Sequence, residues 1–298
     1  MTIHTKQLLV PTNLGHDKVG SSHHIAYTEW GNPQNPHVVI CVHGLTRNCR
    51  DYDYLAKALE SDCHVYCVDV VGRGKSDWLE RAEDYDNYQV YLSDAISLLA
   101  HIRAQYRGDI TLDWVGISMG GLIGMFVAIQ PQIPIPIRKL VLSDIGPVIP
   151  VKALRRMSGY VGKNLSFNSF EDFEAYIRKI SESFGPLTNE QWRHLAIHSA
   201  KKHSDGTYGF RYDPKVSASF KQDNLKKDLV LWKYWDQLQV PTLVLRGAES
   251  DVLNPETVAE MQKRGPKTEV IELSGVGHAP VLLDDEQIGI IKDFLLKP

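Results

Sequence analysis

No apolar run in this chain of 298 residues approaches the roughly 20 residues of a membrane-spanning helix, so no membrane span is expected. The first ten residues, Met1 to Val10, lack the apolar core and small-residue cleavage site of a secretory signal. Cysteine is scarce. The four present, Cys41, Cys49, Cys63 and Cys67, include no CxxC pair, which disfavours a zinc ribbon or a redox motif. Cys41 and Cys67 fall inside strand-like runs and read as buried free thiols of a reducing compartment, so a cytoplasmic location is expected. Basic residues are not in excess either. With 33 Lys and Arg against 36 Asp and Glu the net charge is −3, which argues against general nucleic-acid binding and leaves a small molecule as the expected partner.

Two motifs are incomplete. Gly72-Arg-Gly-Lys-Ser76 has Asp69 where a phosphate-binding G-x-x-x-x-G-K-[ST] loop needs its first glycine, so it reads as a sharp turn after a strand. His194 and His198 stand four apart, but Leu195 occupies the place of the glutamate in H-E-x-x-H. They read as a solvated helix face, and no metal or cofactor is expected.

What is present is an alternation of apolar strand-like runs and helical patterns. Strands are expected at Ile25–Trp30, His37–Val42, Val65–Val68, Leu112–Val115, Lys139–Leu142, Thr242–Leu245 and Glu269–Leu273, with helices between most of them. That alternation implies an α/β fold, a mostly parallel doubly wound sheet. From 146 to 236 the texture changes. This third holds 14 of the 27 aromatic residues and carries 15 basic against 10 acidic residues. It is expected to be a helical cap inserted between core segments 1–145 and 237–298. Phe167, Phe170, Phe173 and Tyr176 fit the cap's own packing or a pocket lining for an apolar substrate. Arg155 and Arg156 read as a solvated helix face, the alternative being a hold on an acidic substrate group.

At the centre stands Gly116-Ile-Ser-Met-Gly120, between an apolar strand and an apolar helix. This G-x-S-x-G pattern is a nucleophile elbow: the turn requires glycines two residues either side of the serine and leaves the hydroxyl at a helix N-terminus. A serine needs a base to take its proton, and histidine titrates near the working pH. The histidine in turn needs a carboxylate to fix its tautomer. Ser118, Asp251 and His278 supply these in the order serine, acid, histidine, each after a predicted strand. Asp144, in Asp144-Ile-Gly-Pro147, is the rival acid. Met119 follows the serine and offers one backbone N–H to an oxyanion.

His43-Gly44, Asp69 with Gly72–Ser76, the elbow, Asp251 and His278 together resemble the α/β-hydrolase fold superfamily over essentially the whole chain. The resemblance implies that Leu45 supplies the second oxyanion N–H, that His43 braces its loop, and that Arg73 and Ser76 support the loop beneath the site. The expected activity is that of a carboxylesterase on small to medium apolar acyl esters. A C–C bond hydrolase, a cofactor-free perhydrolase, an aminopeptidase and a ligand receptor on a hydrolase scaffold are the alternatives.

Overall fold

The computed structural model describes residues 4–12, 14, 21–220 and 225–297; Met1 to Ile3 of the N-terminal stretch lie outside them. The strands Thr5–Pro11 (β1), Ser22–Trp30 (β2), His37–Val42 (β3), His64–Asp69 (β4), Thr111–Ile117 (β5), Ile137–Ser143 (β6), Thr242–Gly247 (β7) and Thr268–Leu273 (β8) form one sheet. Its order is β1-β2-β4-β3-β5-β6-β7-β8. From β4 across to β8 all neighbours pair in parallel; β2 is antiparallel to both β1 and β4.

The near-continuous apolar character of the central strands follows from burial on both faces. In β3, Val38, Ile40 and Val42 point to one side and Val39 and Cys41 to the other, as a strand's twofold period requires. The first face is covered by Tyr88–Arg103 (α2) and Met119–Ala128 (α3), through Leu98, Leu99, Ile102, Ile123 and Val127. The second is covered by Asp53–Leu59 (α1) and, at the chain's other end, Asp285–Leu296, through Leu55, Leu59, Ile291 and Leu295. Cys41, Cys49, Cys63 and Cys67 are all free and buried. No helix among the described residues is long and apolar enough to cross a membrane.

Between β6 and β7 the chain leaves the sheet. This segment carries helices Val151–Ser158 (α4), Phe170–Ile180 (α5) and Asn189–Ser199 (α6), and ends in the short helix Trp232–Trp235 (α7). It is not purely helical: Val148–Ile149 pairs with Leu229–Val230, and Ala200–Lys202 with Tyr208–Phe210. Phe173 packs among Phe167, Phe170 and Phe210, so the aromatic run forms the segment's own small core. The last turn departs from the expected division, because Trp235 is fully buried in the main core beside the sheet.

Candidate active site

The apolar run of β5 delivers the chain to Ser118 through a turn that excludes side chains on either side. A Cβ on Gly116 would lie 2.3 Å from the backbone of Gly120 and Gly121, and one on Gly120 would lie 1.9 Å from the carbonyl oxygen of Val42. Ser118 itself has φ of 50°, a left-handed conformation that costs of order 1–3 kcal/mol and persists only where the surroundings enforce it. Two contacts enforce it here. The Ser118 N–H donates to the carbonyl of Ser143 at the end of β6 (2.9 Å), and buried Tyr52 ties β3 to β5. Tyr52 donates to Val42 O (2.6 Å) and accepts from the N–H of Ile117 (3.1 Å).

The hydroxyl of Ser118 lies 3.0 Å from Nε2 of His278, and Nδ1 of His278 lies 2.7 Å from Oδ2 of Asp144. An ionised carboxylate only accepts, so Nδ1 carries the proton, Nε2 is left as an acceptor, and Ser118 donates to it. The rest of the Asp144 carboxylate is also engaged: Gly247 N–H donates to Oδ1 (2.9 Å) and the Ser250 hydroxyl to Oδ2 (2.5 Å). The loop bearing His278 is held by the Ser143 hydroxyl on Pro280 O (2.9 Å) and the Ser183 hydroxyl on His278 O (2.6 Å).

This geometry corrects the expectation for Asp251. Its side chain is 42% exposed and takes two hydrogen bonds from Arg156, at 2.6 and 2.8 Å, whereas the Asp144 side chain is 0% exposed and sits on the imidazole. Burial pushes the Asp251 carboxyl up, but the hydrogen bond and charge of Arg156 outweigh it and hold the group below the ordinary carboxylate range. The physical reason for the exchange is reach. The loop after β7 turns so that Ser250, not Asp251, points inward, and Asp144 is brought to His278 by its own left-handed turn at φ 51°.

Leu45 lines the same cavity as Ser118, and Met119 follows the serine in the first turn of α3, where N–H groups have no intrahelical acceptor. The Leu45 N–H is aimed by its own peptide. Gly44 O accepts from Nδ1 of His43 (2.7 Å) and from the Arg47 N–H (3.1 Å), so the N–H across that trans peptide faces the opposite way. His43 also accepts from the Val70 N–H (3.0 Å). Burial pushes this imidazole down to about 3, so it is a neutral brace, as its place in the loop suggested.

Arg73 is fully buried. Its guanidinium donates to Leu45 O (2.9 Å) and Val71 O (2.7 Å), approaches the Met119 sulfur (3.6 Å), and lies over the rings of Tyr85 and Tyr91. It therefore braces the Leu45–Thr46 peptide and packs against the Met119 side chain. The glycine-rich loop is a turn, and Gly74 N–H bonds to Arg211 O of the inserted segment (2.9 Å). Tyr52, Ser143 and Ser250 were not legible as site residues, because each acts through a contact between distant strand ends.

The site opens into a cavity between the sheet and the inserted segment. Ser118, His278 and Leu45 lie on its floor side; Arg156, Ile177 and Phe184 belong to the insertion. His194 and His198 are not a solvated face. They pack on α1, with His194 Nε2 donating to Arg50 O (2.8 Å) and both near Asp53. Arg50 already holds that carboxylate through two nitrogens.

The profile of the family described as serine aminopeptidase, S33, matches residues 33–284. A 3-hydroxybutyrate-oligomer hydrolase of Cupriavidus necator is 43% identical over 279 residues, covering 91% of this chain and 92% of that protein. Lipase 1 of Psychrobacter immobilis is 26% identical, over 89% of this chain and 78% of its own length. The crystal structure of an α/β hydrolase from Novosphingobium aromaticivorans superposes with a TM-score of 0.80 at 30% identity, covering 99% of both chains. The chain belongs to this α/β-hydrolase family and is a serine hydrolase of the esterase type.

Proposed function

We propose that this family member hydrolyses short oligoesters of 3-hydroxy acids through an acyl-enzyme on Ser118. The observation that carries the substrate class is the 43% identity to a 3-hydroxybutyrate-oligomer hydrolase over nearly the full length of both chains. The sequence alone favoured apolar acyl esters; the charged groups in the cavity wall, Arg47, Asp51 and Arg156, favour a more polar substrate.

In this reading Asp144 holds the Nδ1–H of His278 and Nε2 takes the proton of Ser118 as Oγ attacks the ester carbonyl. The negative charge that develops on the carbonyl oxygen meets the N–H groups of Leu45 and Met119, each such donor being worth about 3–4 kcal/mol of barrier. His278 then returns its proton to the departing alcohol, leaving the acyl group on Ser118. Water enters, loses a proton to Nε2 and attacks the acyl carbon; collapse releases the acid and restores the serine. Residues 146–236 act as the cap that closes the cavity and selects substrate. The four unpaired buried thiols support a cytoplasmic setting. An aminopeptidase would need a free carboxylate for its substrate's amine. Asp51, the one carboxylate in the described cavity wall, is held by Arg47 at 2.7 Å through two nitrogens.

The test compares kcat/KM for the dimer and trimer of 3-hydroxybutyrate with a p-nitrophenyl ester series from butyrate to laurate. The expected result is hydrolysis of the oligomers, a steep fall toward laurate, and no turnover of either by Ser118→Ala. Preference for laurate with inert oligomers would overturn the substrate class, and an active Ser118→Ala protein would overturn the mechanism.

A further inference from the structure

We propose that Arg156 is the residue that reads the free carboxylate end of the substrate, an inference that rests on the oligoester reading above and names the group that gives it specificity. An oligomer of a 3-hydroxy acid ends in a carboxylate, a charged group that an ordinary ester of the same size lacks. A cavity that prefers such a molecule needs a cation facing inward and not already neutralised from inside. Arg47 does not meet this condition, because its partner Asp51 is buried in the same cavity wall and neutralises it there.

Arg156 meets it. It projects from α4 into the cavity that holds Ser118 and His278, and its partner Asp251 is not part of the cavity lining. Asp251, in the loop after β7, accepts from Nε (2.6 Å) and Nη2 (2.8 Å), and on the cavity side the guanidinium meets the neutral hydroxyl of Tyr160 rather than a carboxylate. A guanidinium fixed in this way has little rotamer freedom left to lose when a second carboxylate arrives, and its planar fork suits carboxylate geometry. The neighbouring Arg155 turns away, donating to Leu225 O (3.1 Å). The pair of arginines is therefore not a uniform solvated face: one closes the segment on itself and the other faces the substrate. Asp251, displaced from the imidazole by Asp144, acquires a role as the support of Arg156.

The experiment measures kcat/KM for the 3-hydroxybutyrate trimer as its free acid and as its terminal methyl ester, in the wild type, Arg156→Gln and Arg156→Lys. A hydrogen-bonded charge contact is worth a factor of about 10 to 100. The acid-to-ester ratio is expected to fall by that factor in Arg156→Gln, through KM for the acid, and to recover in part in Arg156→Lys, which keeps the charge without the fork. Labelling of Ser118 by a fluorophosphonate verifies that each variant is folded; if Arg156→Gln fails to label, Arg156→Met takes its place. An unmoved ratio, or a parallel loss on both substrates, overturns the role of Arg156 while the oligoester reading stands. A wild type that cleaves neither trimer overturns both.

Discussion

Asp144 and Asp251 are a natural experiment in what a carboxylate needs in order to serve an imidazole. To hold the Nδ1–H in place and stabilise the imidazolium it must be dry and itself fully satisfied, or it turns to water and to nearby cations. Asp144 has three donors and no exposed surface; Asp251 is drawn to Arg156. Replacing Asp144 by Asn should lower kcat by about 10⁴, the loss expected when the imidazole is held in the wrong tautomer. Asp251→Asn should cost less than about tenfold on a neutral p-nitrophenyl ester, since it removes only the support of Arg156. Steady-state kinetics of the two variants decide the matter, and reversed magnitudes would return the acid to Asp251. The sequence could not separate them, because both follow a strand and both lie between serine and histidine in chain order. What separates them is the inward turn of Ser250 and the left-handed turn at Asp144, neither of which has a local signature.

At the scale of elements, the elbow is a joint between strand and helix with no spare volume. The close approach of Gly120 to Val42 O is what lets α3 begin directly behind Ser118. Gly120→Ala would place a methyl group 1.9 Å from that oxygen, so α3 or β3 must shift. The expected outcome is a loss of more than about 3 kcal/mol in urea denaturation together with loss of fluorophosphonate labelling. A variant of wild-type stability and reactivity would show that the elbow has more room than its geometry allows. Elements of this kind were legible because the apolar run, the glycines and the change of period lie side by side in the sequence. The two small strand pairs of the insertion were not, since two or three residues are too few to show a period. The fate of Phe167, Phe170 and Phe173 became clear only from packing: their partner Phe210 comes from a distant turn.

For the molecule as a whole, the brace beneath the site ties stability to pH. Burial pushes His43 down to about 3 from an ordinary 6.5, and His198 likewise to about 3. Between those values the unfolded chain binds protons that the folded chain refuses, so stability present above pH 6.5 is lost as pH falls toward 3. His43 contributes about 1.4 kcal/mol per pH unit through that window. Denaturant melts at pH 7 and pH 5 should therefore show the gap between wild type and His43→Gln narrowing as pH falls. A gap constant with pH would mean that His43 is not held neutral. The same brace ties fold to function, since His43 fixes the peptide that carries the Leu45 N–H while Arg73 holds the next one and reaches Met119.

The central claim, an acyl-enzyme on Ser118 formed from a hydroxy-acid ester, is open to direct observation. Enzyme mixed with the 3-hydroxybutyrate trimer, quenched in acid within milliseconds and digested, is analysed by mass spectrometry for the peptide that contains Ser118. The account predicts a hydroxybutyryl ester, of one or more units, on that serine, formed during turnover and absent in Ser118→Ala, which should also release no product. Steady product release with an unmodified Ser118 peptide, or release by Ser118→Ala, would contradict it.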